Sequence, residues 1–178
     1  MNRTKILVWE ISGAVIISLL GTLLHYLFAF VGEWPPAALI AAVNESVWEH
    51  LKLAVWPALI YAFVEWLFLR QSIKNFWTAK AFGILTMPVI ITSIFYGYKA
   101  FTGRHILWVD ISLFVFGVFM GQIISCVLLL RQSIGSKVKI LAAILLVLMI
   151  AAFSVFTYFP PHYPLFRDAP TGQYGILK

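Results

Sequence analysis

The chain has 178 residues, 62% of them hydrophobic and only 11% charged. A soluble domain carries about 25% charged residues, so with a mean hydropathy of +0.93 this composition excludes a soluble enzyme and points to an integral membrane protein. The formal net charge of +6 lies mainly in short connecting stretches without interleaved aromatics, which excludes a nucleic-acid surface and leaves membrane lipids as the expected surroundings.

Runs of more than about 18 apolar residues mark spanning helices. Five spans are predicted, at about 6–31, 37–69, 81–101, 107–130 and 138–159, with a tail over 160–178. The expected fold class is all-α: one integral membrane bundle of five transmembrane helices in a single domain. The first span does not read as a cleaved signal peptide, because it is too long and no small-residue cleavage site follows it. It carries Glu10 near one end and His25 near the other.

The second segment is unusual. Thirty-three residues of helix would run about 50 Å, against a hydrocarbon core about 30 Å thick. It is therefore expected to be bent or partly re-entrant, starting at Pro35-Pro36 and bending near Pro57. Glu65 near its end, like Glu10, is expected to be interfacial or paired with a nearby Lys or Arg. Cys126, the single cysteine, falls in the fourth span, where packing is its expected role. The tail "PPHYPLFRDAPTGQYGI" has four prolines and a Thr-Gly turn signal. It reads as an ordered cap, with a loose tail as the alternative.

Loop charge orients the chain. Arg3, Lys5, Arg70, Lys74, Lys80, Arg131, Lys137 and Lys139 fall on one side, and Lys99, Arg104, Arg167 and Lys178 on the other. The positive-inside rule then places the N-terminus in the cytoplasm and the C-terminus outside. In that topology all four histidines, and every Asp and Glu except Glu10 and Glu65, fall on the outer side.

The densest polar string is "NESVWEHLK", residues 44–52. On a helix Glu45 and Glu49 share a face, as do Ser46 and His50, and Lys52 is placed to neutralise Glu49. Ionisable groups at membrane depth are costly and usually face the bundle interior or a wet cavity. The expected site is outward-facing. His50 and His25, with His105 and His162, are candidate metal ligands. Glu45, Glu49, Ser46 and Asp110 are candidate catalytic groups, and Asn44, Trp48, Lys52 and Arg104 candidate ligand contacts. Zinc is the possible cofactor: it takes three protein ligands and keeps a place for water, whose pKa it lowers to about 7. The alternative is a solvated interfacial helix with His50 bonded to a backbone carbonyl. There is no His-Glu-x-x-His string, phosphate loop, dinucleotide fingerprint or serine elbow.

"NESVWEHLK" and "PPHYPLFRDAPTGQYGI" together resemble an uncharacterised family of small multi-pass membrane proteins of Gram-positive bacteria, over the whole chain. That resemblance implies a bacterial plasma membrane and no stated activity. Ser46-x-x-x-His50 is also similar to the Ser-x-x-x-His motif of the alkaline ceramidase and adiponectin-receptor superfamily, zinc-dependent lipid amide hydrolases of seven spans. That resemblance implies His50 as a zinc ligand, Ser46 beside it and Asp110 as the family's Asp. This chain departs from it in having five spans and no His-x-x-x-His pair on the last.

Three functions follow as expectations. One is metal or small-ligand binding at the outer site, with metal-dependent lipid or amide hydrolysis as its enzymatic form. The second is a small-molecule capture subunit of an uptake system, with the tail as a lid. The third is a partner-binding membrane protein. Oligomeric state is left open.

Overall fold

The five apolar runs fold as five helices in a computed structural model that describes residues 3–71, 73–131 and 134–176. Residues 177 and 178 of the predicted tail, and with them Lys178 of the charge count, lie outside these. The helices are α1 (Arg3–Phe30), α2 (Val47–Leu69), α3 (Phe76–Thr102), α4 (Leu107–Leu129) and α5 (Ser136–Tyr158). Short 3₁₀ turns cover Pro35–Leu39 and Pro164–Phe166. There are no β-strands among the described residues, only an isolated bridge between Arg167 and Tyr174. Each helix is long and apolar enough to cross a membrane. Helices of 23 to 28 residues run about 35–42 Å. The chain is thus a polytopic membrane protein.

Apolar side chains cover both surfaces of the bundle. Ile17, Ala54, Val55, Ile84, Met87, Val118 and Phe153 are buried at its centre. Leu19, Leu23, Ile60, Val89 and Val147 are exposed on the outside, where lipid tails are as apolar as they are. With no hydrophobic gain between helices in lipid, close packing must come from small residues. Gly83 on α3 faces Gly121 on α4, and a Cβ on either would lie 2.7 Å from the other's carbonyl oxygen. Gly21 plays the same part between α1 and α2: a Cβ there would lie 2.5 Å from the Leu53 carbonyl.

The second segment is not one straight helix, as expected: residues 35–46 form a 3₁₀ turn and a loop, and the helix begins at Val47 and runs unbroken past Pro57 to Leu69. The 3₁₀ turn and the loop after it are tucked in, with Ala38 and Ala41 fully buried. Irregular backbone at such depth persists only where its polar groups find partners inside the protein. Lys52 Nζ donates to the carbonyls of Ala38 and Ala41 at 2.7 and 2.9 Å, and Val43 N–H donates to Glu49 Oε2 at 3.1 Å. The excess length is thus taken up in a buried hook.

A correction concerns the opposite end. Lys80, counted with the loop cations, is inside α3 and buried, in ion pairs with Glu10 and Glu65. Glu10 and Glu65 are therefore paired, as one of the two expectations had it, and buried rather than interfacial.

Candidate metal centre

The site is built on the start of α2. Ser46 is its N-cap, and the Ser46 Oγ accepts the Glu49 N–H at 3.3 Å. The Asn44 Oδ1 accepts the Ser46 N–H at 2.9 Å. These bonds satisfy amides that a helix start leaves without partners. They also turn the chain at Glu45, so that its side chain projects outward while His50 rises from the first turn of α2. His25 comes from α1, five residues before its end.

Three ligand atoms converge. His25 Nε2 lies 3.2 Å from His50 Nε2. Glu45 Oε2 lies 3.4 Å from His50 Nε2 and 3.7 Å from His25 Nε2. Tetrahedral zinc with ligands at 2.0–2.1 Å separates neighbouring ligand atoms by about 3.3 Å. The triangle therefore has close to the edges that one ion would impose, and its nitrogen and carboxylate donors suit zinc. Among the described residues this is the one group of three or more His, Cys, Asp and Glu side chains so placed.

The surroundings orient the atoms. His50 Nδ1 donates to the Ser46 carbonyl at 2.8 Å, which leaves the Nε2 lone pair facing the centre, as the outer partner of a metal-bound histidine does. His25 packs its ring against Tyr26 and His50. Its buried Nδ1 has no partner. The neighbouring imidazoles of His25, then of His50, hold the Glu45 carboxyl far below the usual carboxylate range, so it is an anion at neutral pH. The side chains of His25, His50 and Glu45 are 29%, 37% and 51% exposed. The position opposite the triangle, where a fourth ligand would sit, is thus open to solvent.

The tail holds the corner from outside. Glu45 N–H donates to Asp168 Oδ1 at 2.8 Å, and Asn44 Nδ2 donates to the Gly175 carbonyl at 2.8 Å. Gly175 sits at φ +73°, a conformation that favours glycine. Asp168 Oδ2 accepts both the N–H and the hydroxyl of Thr171. Burial alone would raise the Asp168 carboxyl, but the bonds from Thr171 and from the Glu45 amide outweigh it and hold the group below its ordinary value. Trp48 stacks on Phe153 of α5 and packs on Phe166 of the tail. The tail is therefore an ordered cap.

The remaining candidates fall elsewhere. Glu49 and Lys52 form a buried ion pair at 2.6 Å, and Lys52 also reaches Thr157 Oγ1 at 2.9 Å. Glu49 Oε1 lies 3.3 Å from the same Thr157 hydroxyl, so both oxygens of Glu49 are engaged. Asp110 meets the Tyr98 hydroxyl and, at 3.3 Å, His105 Nδ1 at the α3–α4 connection. Arg104 is an exposed neighbour there, and His162 stacks on Tyr174 at 4.5 Å. Neither His105 nor His162 joins the triangle. Asp168 and Thr157, which sequence reasoning left out of the site, are the groups that brace it.

A family model matches residues 1–176. The chain belongs to DUF6512, a family of unknown function. No curated protein and no solved structure matches it. In this DUF6512 member the two polar strings, more than a hundred residues apart, meet at one end of the bundle through Asn44–Gly175 and Glu45–Asp168.

Proposed function

We propose that the protein binds a divalent transition metal, zinc being the best fit, between His25, Glu45 and His50 on the outer side of a bacterial plasma membrane. The observation that carries this reading is the triangle itself: three ligand atoms from α1, the loop before α2 and the first turn of α2, mutually within 4.8 Å, with an oriented His50 and an open fourth position. The excess of Lys and Arg at the opposite ends of the helices supports the outward placement.

The open side favours a hydrolytic form of the same reading. Three protein ligands and one exchangeable position describe a catalytic zinc, whereas structural zinc is closed by four. Bound zinc would supply a water of lowered pKa and polarise a carbonyl. An amphiphilic amide or ester at the outer interface is the substrate class that such a position would meet. Because Glu49 is held by Lys52, Glu45 is the carboxylate at the triangle, and a ligand role leaves it a poor general base. Metal binding therefore stands ahead of hydrolysis. The capture reading has less support, since Asn44 and Trp48 are spent on the tail.

X-ray absorption at the zinc edge on zinc-loaded protein in detergent tests the ligand set. Two imidazole nitrogens and oxygen neighbours without sulfur are expected. A first shell without imidazole scattering would contradict it.

A further inference from the structure

The basic end of the bundle holds a second polar group, unconnected with the triangle. Glu10 from α1, Glu65 from α2 and Lys80 from α3 meet there. Lys80 Nζ lies 2.6 Å from Glu10 Oε1 and also contacts Glu65 Oε2. Ser125 of α4 donates its hydroxyl to Glu10 Oε1 at 2.9 Å. Glu10, Glu65 and Lys80 are 3%, 0% and 1% exposed. Glu65, Lys80 and Ser125 each lie four residues from a helix end, about 6 Å in. Glu10 is seven residues in, about 10 Å.

The charges do not balance. Among the described residues, two carboxylates share one ammonium, and the α4 side chains that reach Glu10, Gln122 and Ser125, carry no charge. Lys5, on the α1 turn before Glu10, is exposed and reaches the Phe68 carbonyl. The oxygens tell the same story. Glu10 Oε2 and Glu65 Oε1 are buried and have no hydrogen-bond partner. A buried, unpaired anion is far costlier than a neutral carboxyl, so such a site takes up a positive charge. Two carboxylates around one cation share a proton for the same reason that paired acids do.

A groove leads to the group. It lies between α1 and α4, encloses about 290 Å³, and is walled by Leu7, Ile11, Phe119, Ile123 and Val127 with Glu10 along its lining. These five wall residues are exposed on the outside of the bundle, so the groove opens toward lipid.

We propose that Glu10 and Glu65 form an intramembrane proton-binding site that holds one proton per pair beside Lys80. The proton neutralises the surplus charge and gives one carboxyl a donor for the oxygens that lack partners. Ionisable groups within membrane spans mark ion and substrate pathways, proton relays among them.

A lipid-soluble carbodiimide is the probe, because it reacts only with a protonated carboxyl. The acid proton moves to a carbodiimide nitrogen, and the carboxylate oxygen adds to its central carbon. The O-acylisourea so formed rearranges to an N-acylurea that retains the whole reagent mass. At neutral pH, mass spectrometry of the detergent-purified protein should find the adduct on Glu10 or Glu65, decreasing as pH rises. In Glu65→Gln the remaining carboxylate pairs with Lys80 and no proton is needed. Labelling of Glu10 should then be lost, and likewise labelling of Glu65 in Glu10→Gln. Equal labelling of Glu10 in wild type and Glu65→Gln would overturn the proposal, as would protection by sodium or potassium at constant pH. Wild-type protein alone gives an independent readout that needs no variant to fold. The infrared carbonyl stretch of a protonated carboxyl should be present at neutral pH and vanish in alkali, and its absence at neutral pH would also overturn the assignment.

Discussion

His50 donates its Nδ1–H to the carbonyl oxygen of Ser46 at 2.8 Å, and this bond determines which face of the imidazole meets His25. With Nδ1 occupied, Nε2 is the free donor atom, 3.2 Å from its counterpart on His25. The histidines should therefore divide into two classes. His25→Ala and His50→Ala should weaken zinc binding by more than the roughly 10–100-fold that follows loss of an outer partner. His105→Ala and His162→Ala should leave it unchanged. Competition against a chromophoric chelator in detergent reads all four.

Lys52 and Glu49 are expected to matter for stability and not for metal. Lys52 is fully buried and holds Glu49 and the hook together. Removing one member of a buried pair costs about 3–5 kcal/mol, because the other charge stays behind. Lys52→Met should lower the thermal midpoint in detergent accordingly. The double variant Lys52→Met with Glu49→Leu should recover part of that loss, since no lone charge remains.

Much of the fold was legible. Helix number, the apolar surface and the gathering of polar groups at one end followed from hydropathy and loop charge. In the second segment the departure from one straight helix was legible from its length, but reading residues 44–52 as helical missed the start at Val47. Ser46-x-x-Glu49 is a capping-box spacing, and it marked Val47 as the first helical residue. The pairing of His25 with Glu45 and His50 joins residues 20 and 25 apart; sequence reading had all three among its candidates, but the choice of Glu45 over Glu49, and of no third histidine, depends on that turn. Reading residues 44–52 as one helix also placed Glu45 and Glu49 together, whereas the turn sends Glu45 out and Glu49 in. Asp168 was hidden because its partner is a backbone amide, which leaves no trace in sequence.

The tail should detach in acid. Asp168 has a depressed folded value, so its contribution is complete above the ordinary aspartate value of about 3.9 and is lost as pH falls through the lower folded value. Limited proteolysis within residues 160–176 should be slow at pH 5–7 and become faster as the pH falls below the ordinary aspartate value. Asp168→Asn should show the fast rate at every pH.

Two glycines on one helix give opposite expectations. Gly83 of α3 meets Gly121 backbone, whereas a Cβ on Gly97 of α3 would touch nothing within 4 Å. Gly83→Ala should separate α3 from α4 and lower thermal stability. Gly97→Ala should raise it by about 0.5–1 kcal/mol, the usual gain from removing a helical glycine.

The most direct test of the metal centre is elemental analysis of detergent-purified protein never exposed to chelator, comparing wild type, His50→Ala and Glu49→Gln. Near-stoichiometric zinc in wild type and Glu49→Gln, and its loss in His50→Ala, is the predicted result. Folded wild type with no metal above background, or metal retained in His50→Ala and lost in Glu49→Gln, would contradict the assignment.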